Sequence, residues 1–298
     1  MIVFGIIFGI LVLLLLSSLL IFYVVVHKSK RVIAQVASSH PLYVDGKRFV
    51  DAQPQEWTIE TQDALKLHAW YLPADQPTSK TVIVANGYHS IRDRFAAYGW
   101  MFHELGYNVL IPAYRASAEA EGKYLGFGWL DRDDYKRWMN KIIEKESTAE
   151  IAMFGISMGA ASAMMVSGEQ LPIQVKCFIA DCGYDTLWNE IVFKAKHDFY
   201  LPAFPLVYLL SFWSKLLAGY HFKEVSSLNQ LAKNTRPFLF IHGEDDQFVP
   251  TEMVHRNFAA TSSPKEVLIV PKAGHAKAYE TDQALYQQIV AQFLNKYL

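Results

Sequence analysis

A serine held between two glycines constrains the fold of this chain more than any other feature. The segment Gly155-Ile156-Ser157-Met158-Gly159 follows the apolar run EIAMF and opens MGAASAMM, a run of small residues that favours a helix. A sharp turn from strand to helix strains its central residue and crowds the positions two away, where glycine alone fits. The pattern predicts that Ser157 is lifted clear of a sheet, although a glycine-rich turn with an idle serine has the same letters.

Short apolar runs alternate with helical segments from Glu56 to the C-terminus. EWTIE and LKLHAWYL flank the turn residues TQDA and predict an antiparallel start to a sheet. TVIVANG, YNVLIPAY, EIAMFG, QVKCFIAD, PFLFIHG and KEVLIVP complete eight strands. Strands that alternate with helices predict a mostly parallel sheet covered on both faces, an α/β fold over residues 56–298. Residues 184–236 interrupt the alternation, are rich in aromatics, and predict a helical cap over the strand ends.

The first residues form one uncharged apolar run, from Ile2 to Val26. At 1.5 Å per residue this run is long enough to cross a hydrocarbon core of ~30 Å. A cleaved signal peptide is the competing interpretation, but no cationic residue precedes the run, which is also longer than a usual signal core. We expect a transmembrane anchor over residues 1–27, a connector over 28–55, and hence a membrane localisation.

The cationic flank bears on which side of the membrane the domain lies. Lys28, Lys30 and Arg31 follow the apolar run, and the α-amine alone precedes it. The positive-inside rule then favours a cytoplasmic domain, although three charges make a modest bias.

Composition narrows the classes of partner. The formal charge is −1, with acids and bases interspersed, so no basic stripe suggests nucleic acid. Cys177 and Cys182 are five apart in one predicted strand, too far for a disulfide, and are expected to be free thiols. No paired His/Cys spacing indicates a metal, and we expect neither a metal nor a cofactor.

A serine nucleophile needs a histidine to take its proton and an acid to orient that histidine. His275 lies in a glycine-flanked loop after the last predicted strand, where such a base would project. Acid candidates follow the two preceding strands: Glu244, Asp245 and Asp246 after PFLFIHG, and Asp181 after QVKCFIAD. Spacing does not separate Asp246 from Asp245.

Two backbone N–H groups are candidates to stabilise an oxyanion. The N–H of Met158 lies at the start of the predicted helix, and the N–H of Tyr88 lies in the loop after the third strand, where Gly87 permits close approach.

From about Glu56 onward, the chain resembles the α/β-hydrolase superfamily, in particular bacterial membrane-anchored serine hydrolases of the cell-surface type. The resemblance is carried by GISMG, HGEDDQFVP and AGHAKAY, with GFGWLDRDDY and DCGY in support. It places the nucleophile on Ser157, the acid on Asp246 and the base on His275. Two departures are Asn86-Gly87, where the family has His-Gly, and the segment around Arg115, which lacks the usual acidic and His-Gly positions.

The resemblance implies a hydrolase that works through an acyl-enzyme without a cofactor, and it suggests a domain at the cell surface. The expected activity is cleavage of a carboxylic ester in a small or lipid-like substrate. A serine peptidase or aminopeptidase, or an acyltransferase, would use the same three residues. A membrane-tethered binding module without activity is the alternative from another class.

Overall fold

The computed structural model describes residues 1–28 and 36–298 and is built on one twisted sheet. Eight strands lie in the order β1-β2-β4-β3-β5-β6-β7-β8. Their bounds are β1 Gln55–Glu60, β2 Lys66–Leu72, β3 Lys80–Ala85, β4 Asn108–Pro112, β5 Glu150–Ile156, β6 Val175–Asp181, β7 Phe238–Gly243 and β8 Lys265–Val270. β2 pairs antiparallel with β1 and β4, and the pairs from β4 to β8 are parallel. The expected α/β-hydrolase fold with a mostly parallel sheet of eight strands is confirmed.

The central strands are buried on both faces, so alternate residues enter two separate cores. In β5, Met153 belongs to one core and Phe154 to the other. The same alternation separates Ile83 from Val84 in β3. Burial on both sides explains why these strands read as continuous apolar runs rather than as alternating ones.

Helices cover both faces of the sheet. Their bounds are α1 Ile2–Val26, α2 Tyr43–Asp51, α3 Arg92–Glu104, α4 Asp131–Lys145, α5 Met158–Ser167, α6 Leu187–Phe199, α7 Leu206–Ala218, α8 Ser227–Leu231, α9 Glu252–Ala260, α10 Ala278–Thr281 and α11 Gln283–Tyr297. The predicted cap range therefore holds α6, α7 and α8. Parallel strands direct their carboxyl ends to a common edge, and the loops that follow β3, β5, β7 and β8 meet there.

The predicted connector, 28–55, is partly helical in the structure. Helix α2 packs on α3, and Phe49 of α2 is fully buried. A Cβ on Gly99 of α3 would lie 2.7 Å from the Phe49 ring, so glycine allows this close packing. Lys30 and Arg31, which bear on membrane orientation, lie outside the described residues.

Helix α1 does not stand apart from the domain along its whole length. Residues 1–17 are exposed, whereas Ser18, Phe22 and Val26, spaced by one helical turn, are buried against the domain. Among the described residues, α1 alone is long and apolar enough to cross a membrane, a test that a signal sequence would also pass.

Candidate active site

The turn between β5 and α5 holds Ser157 in a strained conformation. Its φ is 56° and its ψ is −116°, values that cost free energy for a residue with a side chain. A Cβ on Gly155 would collide with the carbonyl oxygen of Gly159, and a Cβ on Gly159 with that of Ala85. The glycines therefore allow the strand, the turn and the helix to approach closely enough to present the Ser157 hydroxyl.

Three side chains that are far apart in the sequence form one chain of hydrogen bonds. His275 Nε2 lies 2.9 Å from Ser157 Oγ, and His275 Nδ1 lies 2.8 Å from Asp246 Oδ2. With its proton on Nδ1, the imidazole donates to the carboxylate and accepts from the hydroxyl. This tautomer leaves Nε2 free to take the serine proton, as a general base must.

The Asp246 carboxylate is fixed and kept ionised. Its other oxygen, Oδ1, accepts the N–H groups of Phe248 at 2.8 Å and Val249 at 2.9 Å. Burial alone would raise the pKa of Asp246, but hydrogen bonds and electrostatic attraction to His242 and His275 outweigh it and hold that pKa well below its usual range. The carboxylate thus remains available to a charged imidazole across the neutral pH range.

The other acid candidates do not reach His275. Glu244 and Asp245 are exposed. Asp181 is buried, its Oδ2 accepts the Tyr286 hydroxyl at 2.9 Å, and its backbone oxygen accepts the N–H of Ser157 at 2.9 Å. Burial raises the pKa of Asp181 to about 6. Through this backbone bond, Asp181 helps to hold the turn that carries Ser157.

His242 contributes to the site beyond what its sequence position suggested. Its position at the end of β7 predicts a structural role, and its Nε2 does bond the carbonyl of Val249 at 2.9 Å. The same nitrogen lies 3.2 Å from Asp246 Oδ2, so His242 also contacts the acid. In the sequence, the four-residue spacing of His242 and Asp246 in HGEDD was the one feature that could have indicated this contact.

The loop after β3 lies against the serine. A Cβ on Gly87 would lie 3.6 Å from Ser157 Cβ, so the backbone passes close to this serine. The Asn86 amide donates to the carbonyl of Pro112 at 3.1 Å and ties this loop to the end of β4. At the position where the family has histidine, Asn86 therefore supports the loop through its bond to Pro112.

Tyr88 links this loop to the N-terminal helix. Its hydroxyl donates to the carbonyl of Val25 in the last turn of α1 at 2.8 Å, and its ring stacks on Phe127 at 5.7 Å between centroids. Burial raises the pKa of Tyr88 to about 12, so the hydroxyl stays protonated and remains a donor.

Arg115 stands in the second departure from the family pattern and does not contact the serine. It makes paired hydrogen bonds to Asp134 at 2.7 Å and further bonds to Asp63 at 3.0 and 3.2 Å. It holds the loop after β4 to the start of α4 and to the β1–β2 turn.

The cap and an open cavity border the histidine. The Phe248 ring lies 4.7 Å from the His275 ring, and Nζ of Lys194 in α6 lies 3.8 Å from the centre of Phe248. On the other side, His275 and Ile156 line a cavity of about 1060 Å³ whose further wall includes α2 and α3. Ser157, Tyr88 and Met158 are not among the residues that line this cavity, so it adjoins the histidine rather than the serine hydroxyl.

A cysteine lies beneath the three side chains. Cys177 and Cys182 are both free and buried, as expected. Ligand atoms of Cys182, Asp246 and His275 lie within 4.8 Å of one another. A metal bound there would need the His275 and Asp246 atoms that already bond Ser157 and each other. Burial raises the pKa of the Cys182 thiol, which opposes the thiolate that a metal needs.

Comparison with known proteins establishes the family. The sequence model of the prolyl oligopeptidase family matches residues 94–298, a range that holds Ser157, Asp246 and His275. The chain belongs to the prolyl oligopeptidase family. The uncharacterized protein YqkD of Bacillus subtilis is 30% identical over 230 residues, which cover 76% of this chain and 74% of that protein.

Solved structures show the same fold. An esterase of Pyrococcus furiosus superposes with a TM-score of 0.67 at 24% identity, covering 89% of this chain and 97% of the esterase. An acylaminoacyl peptidase of Pyrococcus horikoshii superposes with a TM-score of 0.60 at 15% identity, covering 82% of this chain and 41% of the peptidase. This member of the prolyl oligopeptidase family is a serine hydrolase of the α/β fold.

Proposed function

We propose that this chain hydrolyses carboxylic esters through an acyl-enzyme on Ser157. The observation that carries the proposal is the hydrogen-bonded series from Ser157 through His275 to Asp246, at the end of a strained strand–helix turn. In that arrangement a hydroxyl becomes a nucleophile while its proton moves to His275 Nε2.

The proposed reaction has two stages. Ser157 Oγ attacks the substrate carbonyl carbon, His275 takes the proton, and Asp246 stabilises the resulting imidazolium. The N–H groups of Tyr88 and Met158 hold the negative oxygen, after which His275 protonates the leaving alcohol and the C–O bond breaks. Water then attacks the acyl carbon and gives a proton to His275, which passes it to Ser157 Oγ as the bond between the acyl carbon and Oγ breaks and the carboxylic acid leaves.

The choice of an ester over an amide draws on the similar proteins. The Pyrococcus furiosus protein, whose structure covers most of this chain, is an esterase. The family description and the Pyrococcus horikoshii neighbour favour peptide substrates as the second candidate. An alcohol leaves more readily than an amine, so a triad that cleaves amides also cleaves activated esters. Selectivity must therefore be measured on both.

The test uses the full chain in detergent or vesicles, because Tyr88 is held by Val25 of α1. Turnover is compared on p-nitrophenyl esters of increasing acyl length and on aminoacyl p-nitroanilides, with Ser157→Ala as the blank. We expect ester hydrolysis that is lost in Ser157→Ala. Hydrolysis of amides at a higher kcat/KM than of esters would overturn the ester assignment in favour of a peptidase.

We also propose that α1 anchors the enzyme in a membrane. Its 25 residues contain no charged side chain. Because its last turns pack on the domain and bond Tyr88 and Trp213, its removal would break both hydrogen bonds and uncover the domain surface on which it packs. A helix with these contacts suits a retained anchor better than a cleaved signal. Recovery of the intact N-terminus by mass spectrometry of the membrane fraction tests it, and a mature chain starting beyond Val26 would contradict it.

A further inference from the structure

The cap carries an exposed apolar surface on the elements next to α1. Residues 199–214, which form the α6–α7 turn and most of α7, contain no charged side chain. Six large apolar side chains of this stretch are exposed, and Leu216 extends the set by one turn of α7: Phe199, Tyr200, Leu201, Phe204, Tyr208, Phe212 and Leu216. We call them the cap apolar face. Phe204 is 72% exposed and Tyr200 is 89% exposed, which is unusual for neighbouring aromatics on a soluble surface.

Helix α7 packs on the anchor with its other side. The Trp213 indole N–H donates to Ser18 Oγ at 3.0 Å, and Ser18 is fully buried. Tyr208, Phe212 and Leu216, spaced by one turn, remain outside this contact and exposed. One short helix therefore holds α1 and also bears part of the cap apolar face.

The length of α1 fixes how near α7 must come to the bilayer. The part of α1 that is free of the domain, residues 1–17, is about 25 Å long at 1.5 Å per residue. A hydrocarbon core of about 30 Å needs roughly 20 residues. The helix can span it only if about one further turn, which includes Ser18, lies at the hydrocarbon boundary, and Trp213 then lies there too.

This inference rests on the anchor role proposed for α1. We propose that the cap apolar face docks into the interface of the lipid bilayer that α1 spans. Tyr200 and Tyr208 suit that depth, because a tyrosine ring meets hydrocarbon while its hydroxyl meets headgroups and water, and the phenylalanine and leucine side chains can bury apolar area there. The surface is continuous with the anchor through α7, so insertion needs no further element.

Docking would place the active site beside the membrane. The Tyr88 hydroxyl bonds the carbonyl of Val25 in α1, and the neighbouring Gly87 lies against Ser157. The loop after β3 therefore contacts both α1 and the serine. The substrates that this placement favours are acyl esters with a hydrocarbon chain, which partition into the bilayer. A short water-soluble ester would gain nothing from it.

The test places a fluorophore on the cap and asks what surrounds it. The full chain is reconstituted into phosphatidylcholine vesicles after labelling of Phe212→Cys with a polar, environment-sensitive maleimide dye. Ile173→Cys is the matched control, because Ile173 is 82% exposed in the loop before β6, at the opposite edge of the sheet. Cys177 and Cys182 are fully buried, and labelled wild type gives the background.

We expect the label at position 212 to be quenched by lipids that carry a nitroxide near the headgroup and protected from aqueous iodide. The label at position 173 should behave in the opposite way. Iodide quenching at 212 equal to that at 173 overturns docking, and so does protection from both quenchers, which would indicate cover by a second copy of the chain. A chain that does not float with the vesicles contradicts the anchor and this inference together. None of these readouts needs turnover, so they stay distinguishable from failure of the esterase proposal.

Discussion

Asp246 and Asp245 are adjacent in the sequence but differ in environment. Asp246 is buried and accepts hydrogen bonds from His275 and from two backbone N–H groups, whereas Asp245 is exposed. The sequence alone could not distinguish these two residues, because both follow β7 and either side chain could point into the domain. The turn that directs the N–H groups of Phe248 and Val249 to one carboxylate decides between them.

Exchange of each of these acids for its amide tests that distinction. Asp246→Asn removes the negative charge that favours the imidazolium and permits the wrong tautomer, so kcat on a p-nitrophenyl ester should fall roughly 10²- to 10⁴-fold. Asp245→Asn is the control, and its kcat should stay within about twofold of wild type. Equal losses in the two variants, with both folded by circular dichroism, would contradict the assignment of the acid.

Glu190 in α6 predicts a pH dependence of stability. Both of its carboxylate oxygens are buried without a hydrogen-bond partner among the described residues. Burial raises the pKa of Glu190 to about 8 from an ordinary 4.5, so the folded chain keeps this proton at pH 7 while the unfolded chain releases it. The folded state binds more protons between these two values, so its stability falls as pH rises through that window.

Removal of the titrating group should remove that part of the pH dependence. Glu190→Gln and wild type should melt at similar temperatures near pH 4, and the variant should melt higher at pH 9. Thermal unfolding in detergent between pH 4 and pH 9 measures these melting temperatures. A difference in melting temperature that stays constant with pH would show that Glu190 does not titrate between the two values.

At the scale of elements, α5 and its turn show how much of the fold the sequence carries. The two-residue spacing of Gly155 and Gly159 about Ser157 predicted a strand–turn–helix unit, and the structure has it between β5 and α5. Helix α2 was missed because no capping side chain marks its start and a glycine interrupts its nine residues. The packing of α1 on α7 could not be predicted, since a helix that is apolar all round does not indicate which face meets the domain.

Two helical glycines, Gly159 in α5 and Gly46 in α2, differ in whether their surroundings leave room for a side chain. A Cβ on Gly159 would overlap the carbonyl of Ala85, so Gly159→Ala should destabilise the fold by about 3 kcal/mol or more. A Cβ on Gly46 in α2 would make an ordinary contact at 3.7 Å, so Gly46→Ala should stabilise by roughly 0.5–1 kcal/mol. Chemical denaturation of both variants measures these changes in the free energy of unfolding. A neutral Gly159→Ala would mean that the turn is looser than described.

The contact between α1 and the site loop predicts an effect on turnover. Tyr88→Phe deletes the bond to the carbonyl of Val25 and frees the loop whose N–H is proposed to stabilise the oxyanion. Loss of about 1 kcal/mol corresponds to a fall of roughly fivefold in kcat, with KM little changed. Tyr220→Phe also deletes a tyrosine bond to a backbone carbonyl, that of Leu125, and should leave kcat unaltered. A similar loss in both variants would indicate general destabilisation.

At the scale of the whole molecule, the end of helix α1, the cap helices and the three hydrogen-bonded side chains meet at one edge of the sheet. Double replacement Phe204→Ser and Phe212→Ser removes two exposed rings without disturbing the core. Turnover of a soluble short-chain ester should be unchanged, whereas turnover of a long-chain ester embedded in vesicles should fall several-fold. Ile173→Ser is the control for a lost exposed apolar residue. An equal loss on both substrates would place the effect in folding or catalysis instead of membrane contact.

Covalent labelling of the nucleophile tests the central claim most directly. The full chain is treated with a fluorophosphonate, in which the serine oxygen displaces fluoride from phosphorus, and the adduct is mapped by peptide mass spectrometry. The account predicts a single adduct on Ser157, formed much more slowly in His275→Ala and at the wild-type rate in Asp245→Asn. An adduct on another serine, or labelling of Ser157 that does not depend on His275, would contradict it.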